Sequence, residues 1–517
     1  MRNVRPSRQS RYQTLLRAAV VLLAGSLTLS ACTPVFPAPS SQQSQDPSVV
    51  ADAPDNLKSF YTQQLTWTSC EKNMQCTKVK VPVDYANPQG DSLELAAVKL
   101  PATGNAIGSI LVNPGGPGGS GYDMVSQSSS LFSAKLRSAY NMVGFDPRGV
   151  KRSAPVTCIS DADQDKERQT DHDLQTDAGV AAFEKQNIND IAQCKQNTGA
   201  VLGFVDTISS AKDLDILRAV VNSAKLDYLG FSYGTKLGAT YTELFPAKVG
   251  KFVLDGALDP TLTIETLGMG QAKAFEAAIN SWAENCAQAK GCPFRGSPEQ
   301  IVQQVRDLNA QYEKTPQKTK DGRLLTGSGF SSALSLAMYS TDLWSVLQAR
   351  LTDAANGDPN GMMDLADYAA DRDPNTGKYS SNTAFAFTAI NCLDYQMDTD
   401  ISALRAESLA LQTASPTFGK YLGYSGLTCK NWPYQSVAKP HPISAQGTGP
   451  IVVIGTTRDP ATPYPWAQAL RKQLAAGVLV TWDGDGHTAY GRSNSCIQNA
   501  VDGYFVDGKT PQDGLQC

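Results

Sequence analysis

The chain has 517 residues, more than one hydrophobic core usually organises, so two lobes are expected. Its 41% hydrophobic and 18% charged residues are an ordinary globular composition, and no internal repeat is evident. Acidic residues outnumber basic ones, 49 to 45; removing a leader with five arginines and no acids leaves 40 basic residues, a net charge near −9. That balance argues against a nucleic-acid partner, which demands clustered positive charge.

The leader is residues 1–31. Arg2, Arg5, Arg8, Arg11 and Arg17 precede an apolar run from Ala18 to Leu29 that is too short and wrongly flanked to span a membrane. It ends in Leu29-Ser30-Ala31-Cys32, which resembles a bacterial lipobox. The resemblance implies that Cys32 becomes a lipidated first residue, anchoring the protein on the extracytoplasmic face of the cell membrane, where it is retained or shed. Residues 32–55, rich in Pro, Ser and Gln, read as a tether. With Cys32 set aside, ten cysteines remain, an even number suited to five disulfides in an exported protein. Sequence leaves connectivity open, but local spacing suggests Cys70–Cys76, Cys158–Cys194, Cys286–Cys292, Cys392–Cys429 and Cys496–Cys517. No C-x-x-C pair occurs, and the three scattered histidines supply no metal-binding cluster, so neither metal nor cofactor is expected.

From about residue 76, strand-like and helix-like segments alternate. "TKVKVPVDY" and "LELAAVKLP" read as an opening pair of strands. "GSILVNPGGPGGSG", "YNMVGFDPRG", "LDYLGFSYG" and "GKFVLDGALDP" each end an apolar run in turn residues, as do "PIVVIGTTRDP" and "GVLVTWDGDGHT" near the C-terminus. This rhythm predicts a mainly parallel sheet covered on both faces, with its site beyond the carboxyl ends of the strands. Residues 259–440 break it. Phe275, Ile279, Trp282 and Cys286 recur at helical spacing, as do Ile301, Val305, Leu308 and Tyr312 behind the start signal Ser297, Pro298 and Gln300. A helical cap inserted between core segments 56–258 and 441–517 is expected.

The chemistry centres on "LDYLGFSYGTKLGATYTELFP", Leu226 to Pro246. With 42 glycines in the chain a G-x-S-x-G match alone decides nothing, but here an apolar strand precedes it and a helix follows. Gly230 and Gly234 remove side chains where a sharp elbow crowds the backbone, which makes Ser232 the candidate nucleophile. A serine needs a base, and the base an orienting acid. His172 lies in a polar acidic loop, expected to be solvated, and His441 precedes a strand at the wrong end of the sheet. His487 follows the last predicted strand, at the catalytic edge. The acid is Asp459, one strand earlier, giving the chain order Ser, Asp, His; Asp255 and Asp259 are the second choice, and Thr462 can bond the same turn. The backbone N–H groups of Tyr233 and Gly116, the latter in "NPGGPGGSG", are the expected oxyanion donors.

These stretches, with "GFDPRGVKRS", "VLDGALDP", "RDPATP" and "DGHT", resemble the actinobacterial tripeptidyl aminopeptidase and proline iminopeptidase group of serine exopeptidases, from about residue 65 to the end. The resemblance implies an α/β-hydrolase fold and a monomeric, cofactor-free enzyme that takes peptide substrates by their free N-termini. Some relatives are described only as carboxylesterases, which use the same triad. Pro114 stands where proline iminopeptidases carry histidine, which favours the tripeptidyl branch. Asp146 and Arg148 match a group motif and read as a structural turn. Asp394, in "AINCLDYQ", resembles a Cys-x-Asp element of that branch and is nominated as the anchor of the substrate amine, against the plainer reading of a solvated or salt-bridged aspartate. A solute-binding lipoprotein would have no use for elbow, oxyanion loop, acid and histidine in this order.

Overall fold

The computed structural model describes residues 45–517 except 71 and 128, so the leader, Cys32 and most of the tether lie outside the described residues. Strands β1 (Thr68–Ser69), β2 (Gln75–Pro82), β3 (Ser92–Leu100), β4 (Gly108–Asn113), β5 (Tyr140–Phe145), β6 (Leu226–Phe231) and β7 (Val249–Asp255) form the first part of the sheet. After a two-stranded ribbon, β8 (Gln317–Lys318) and β9 (Leu324–Leu325), the sheet resumes with β10 (Ile451–Arg458), β11 (Gly477–Asp485) and β12 (Leu515–Gln516). The order is β1-β2-β3-β5-β4-β6-β7-β10-β11-β12, antiparallel through the β3–β5 pair and parallel beyond it. This is the α/β-hydrolase fold.

The parallel strands read as nearly unbroken apolar runs because both faces are covered, and Leu111, Leu229, Val253 and Ile454 are fully buried. Register matters most at the carboxyl edge. Asn113 pairs with Gly230, Phe231 with Asp255, Asp255 with Ile454, and Arg458 with Asp485. The turns that follow β4, β6, β7, β10 and β11 therefore open on one edge.

Between β7 and β10 the regular elements are helices apart from the short ribbon. The helices Ile264–Gln288, Pro298–Lys314, Gly327–Met338, Trp344–Ala355 and Asn360–Ala369 surround a second core that includes Trp282, Val305, Phe330 and Leu351. Ser297 starts one of these helices with a capping box, its hydroxyl accepting from Gln300 N while Gln300 Oε1 accepts from Ser297 N. The helix Thr383–Asp394 is different: Ala386, Ala389, Ile390 and Leu393 pack into the sheet's own core, and the Cys392–Cys429 disulfide secures it. A second excursion, after β5, carries Asp161–Glu167 and Asp177–Thr198. Arg168 bonds Asp367, and Asp165 bonds Arg372, so this excursion is tied to the inserted helices. The polar, weakly amphipathic sequence of this segment gave no sign of that role.

All five spacing-suggested disulfides are present: Cys70–Cys76, Cys158–Cys194, Cys286–Cys292, Cys392–Cys429 and Cys496–Cys517. Among the described residues no helix is long and apolar enough to cross a membrane.

Candidate active site

Ser232 sits between β6 and the helix Tyr233–Leu244 with φ 55° and ψ −126°. A non-glycine residue rarely adopts this conformation, and close packing has to hold it there. Ser232 N donates to the Asp255 carbonyl at 2.9 Å, and Thr235 N and Oγ1 donate to the Ser232 carbonyl at 2.8 and 2.6 Å. Gly234 is required by crowding, since a Cβ there would lie 2.7 Å from the Asn113 carbonyl.

The loop after β4 folds directly onto the elbow. Gly115 has φ +98°, and a Cβ on it would stand 2.5 Å from the Phe231 carbonyl and 2.8 Å from Ser232 Cβ. Only glycine fits, so Gly115 sets how near the loop approaches the serine. Asn113 Oδ1 accepts from Gly115 N at 2.9 Å, and Gly119 N donates to the Gly115 carbonyl at 3.0 Å. Gly116, the expected donor, follows with φ +111°. Among the described residues neither Gly116 N–H nor Tyr233 N–H has a hydrogen-bond acceptor within the protein. Below the loop Ser120 Oγ donates to Asp146, which also accepts from Arg152.

His487 and Asp459 meet at the ends of β10 and β11. The imidazole Nδ1 lies 2.9 Å from both Asp459 oxygens, and both residues are buried. Asp459 also accepts from Ala461 N (2.9 Å), Thr462 N (2.8 Å), Thr462 Oγ1 (3.0 Å) and Thr488 N (3.2 Å). A carboxylate so supplied with donors stays an acceptor, so Nδ1 carries the proton and Nε2 is left free to accept one. The ring borders the end of β7: its Cε1 is 3.3 Å from where a Gly256 Cβ would stand, one residue beyond the carbonyl that holds Ser232 N. Tyr339 covers it from the inserted helices, edge-on at 5.3 Å, with its carbonyl accepting from His487 N at 2.9 Å.

The alternative acid serves a different purpose. Asp255 accepts from Ala489 N and Tyr490 N at 2.7–3.0 Å and so braces the turn that carries His487. Burial pushes its carboxyl up to about 6 despite those bonds. Asp259 bonds Thr261 and Gln473 instead. His441 is exposed and paired with Glu243. His172, expected to be solvated, is partly covered, with Nε2 2.9 Å from Gln186 Oε1 and its ring edge-on to Phe183. Arg148 is a structural anchor, bidentate to Asp213 at 2.7 Å and donating to the Pro82, Val83 and Phe204 carbonyls while fully buried.

Asp394 is corrected by the structure. It is 2% exposed, accepts from Thr207 N at 2.9 Å and from the Thr207 hydroxyl, and pairs with Lys236 Nζ at 3.0 Å. Its charge is already matched, so it cannot serve as a waiting partner for a substrate amine; it fastens the helix Thr383–Asp394 to the elbow helix. Gly115, Gly256 and Tyr339 are the contacts that sequence reasoning missed. The glycine-rich "NPGGPGG" held a signal for Gly115, whereas Tyr339 belongs to a segment with no motif.

Comparison with known proteins agrees with this arrangement. Residues 415–517 match the family described as TAP-like protein. The chain is 38% identical over 480 residues to serine protease Hip1 of Mycobacterium tuberculosis, covering 88% of this chain and 91% of that one. It is 35% identical over 471 residues to carboxylesterase B of the same organism, covering 88% and 90%. To the tripeptidyl aminopeptidase of Streptomyces lividans it is 30% identical over 470 residues, covering 88% and 86%. The chain belongs to this tripeptidyl aminopeptidase-like family of serine hydrolases with the α/β-hydrolase fold.

Proposed function

We propose that the chain is an exported serine exopeptidase releasing short peptides, tripeptides foremost, from free N-termini. The observation that carries the reading is the buried His487–Asp459 pair on the same sheet edge as the Ser232 elbow. Ser232 Oγ attacks the scissile carbonyl as His487 Nε2 takes its proton, and Asp459 holds Nδ1–H and stabilises the imidazolium. The N–H groups of Gly116 and Tyr233 receive the oxyanion. His487 then protonates the leaving amine, and afterwards draws a proton from the water that cleaves the acyl-enzyme, restoring Ser232. No step needs a metal or cofactor.

The relatives named serine protease and tripeptidyl aminopeptidase support this reading. Five disulfides favour an oxidising compartment, in keeping with an anchor at Cys32 on the outer face of the membrane. The relative named carboxylesterase B supports a second reading, an esterase with the same triad. Tripeptide amides with free and acetylated N-termini, assayed beside short and long acyl esters, separate the two. The exopeptidase reading expects free-amine tripeptides to be turned over best, with turnover abolished in Ser232→Ala. Turnover of esters alone would transfer the function to the esterase.

A further inference from the structure

An exopeptidase has to tell a free α-ammonium from a blocked one, and nothing in the Ser232, His487 and Asp459 set does so. Beside that set lies a cleft of about 760 Å³, bordered by Pro114 and Gly119 of the loop after β4 and by Gly491 and Arg492 beyond His487. Two carboxylates line it, Asp123 and Asp371. They differ in one respect. Asp123 is matched, 2.7 Å from Arg152 and in contact with Lys151. Asp371 is exposed and has no basic partner among the described residues; its carboxylate accepts only from Ser381 Oγ, at 2.6 Å. Of the cleft's basic side chains, Lys151 is held by Asp123, and Arg492 donates to the His487 carbonyl at 3.5 Å.

The carboxylate is also held in position. Asp371 has φ 56°, its N–H donates to the Tyr368 carbonyl at 3.2 Å, and its own carbonyl accepts from Ser380 N at 2.8 Å and Ser380 Oγ at 3.1 Å. Ser381 Oγ is in turn 2.9 Å from Thr383 Oγ1, which donates to the Gly118 carbonyl at 3.4 Å. These successive contacts put Asp371 no more than about 9 Å from the loop that carries Gly116. Three extended residues span about 10 Å. That reach is of the order of the bound from Asp371 to the Gly118 carbonyl, in the loop whose Gly115 packs against Ser232.

We infer that Asp371 receives the substrate's α-ammonium and is the specificity-determining residue for free N-termini, an inference that rests on the exopeptidase reading. The position suits a carboxylate, since ammonium binding there requires no desolvated, unpaired charge in the empty enzyme.

The test compares kcat/KM for one tripeptide anilide with a free and with an acetylated N-terminus, in wild type and Asp371→Asn. Asparagine tolerates the left-handed φ, so the turn is conserved; Asp371→Ser is the second variant, and covalent labelling of Ser232 counts the active enzyme. The expected result is a free-to-acetyl ratio of tenfold or more in wild type that falls at least fivefold in both variants, through KM. A wild-type ratio that survives both substitutions overturns the assignment of Asp371 and leaves the exopeptidase reading standing. A ratio near one in wild type defeats that reading itself, and the assignment with it.

Discussion

Replacing Asp459 with asparagine changes one atom and reverses a hydrogen bond. Asp459 Oδ1 accepts from Ala461 N, Thr462 N and His487 Nδ1; Oδ2 accepts from Thr462 Oγ1, Thr488 N and the same Nδ1. An asparagine amide at the Oδ1 position would face two backbone N–H groups, so its carbonyl belongs there and its NH2 group at Oδ2. That NH2 opposes Thr488 N–H and offers a proton to Nδ1, favouring the tautomer that carries hydrogen on Nε2, which cannot accept from Ser232. In a serine protease triad the same exchange lowers kcat by about 10⁴, or roughly 5.5 kcal/mol of barrier. One buried N–H losing its acceptor adds about 1–3 kcal/mol of destabilisation. Steady-state kinetics on a tripeptide anilide and urea unfolding of the same preparation measure both quantities. Asp255→Asn is the control, because it keeps one acceptor oxygen for Ala489 and Tyr490 and leaves Nδ1 alone; its kcat should fall far less. A folded Asp459→Asn enzyme within tenfold of wild type, or an Asp255→Asn enzyme more impaired than it, would refute the assignment of the acid.

Arg148→Ala should cost about 3–5 kcal/mol in urea unfolding, because Asp213 is left buried without its bidentate partner. Burial, followed by the charge of Asp190, pushes Glu167 up to about 8. A raised acid stabilises the fold below its ordinary value of about 4.3, and that contribution is lost as pH rises through the folded value. Glu167→Gln should therefore raise Tm relative to wild type at pH 8.5 to 9 and leave it little changed near pH 4, by scanning calorimetry at both pH values. Removing the Cys392–Cys429 bridge, a separation of 37 residues, with a double serine variant should cost about 4 kcal/mol and release the helix Thr383–Asp394 first, seen as faster amide exchange there. Mature protein lacking Cys32 should titrate no free thiol after denaturation without reductant.

What the sequence by itself determined was local. The strand-elbow-helix at Ser232 was legible because apolar run, paired glycines and helix lie within one short segment and each enforces the next. The disulfides followed from short separations, and the parallel sheet from strands apolar on both faces. Asp459 and His487 could be placed at one edge because each closes a strand in a sheet whose direction was already implied. Tertiary structure decided everything that depends on which charge meets which. Asp394 closes a helix and Asp371 lies in a turn, and neither local sequence says which cation, if any, the carboxylate will meet. One is buried against Lys236 and Thr207, brought from far along the chain, and the other is left at the cleft without a cation among the described residues. The same holds for the 161–198 excursion, whose attachment to the inserted helices rests on Arg168–Asp367 and Asp165–Arg372 pairs. The strength and the partner of an ion pair are set by the burial and distance that folding creates, and composition and spacing along the chain do not encode either one.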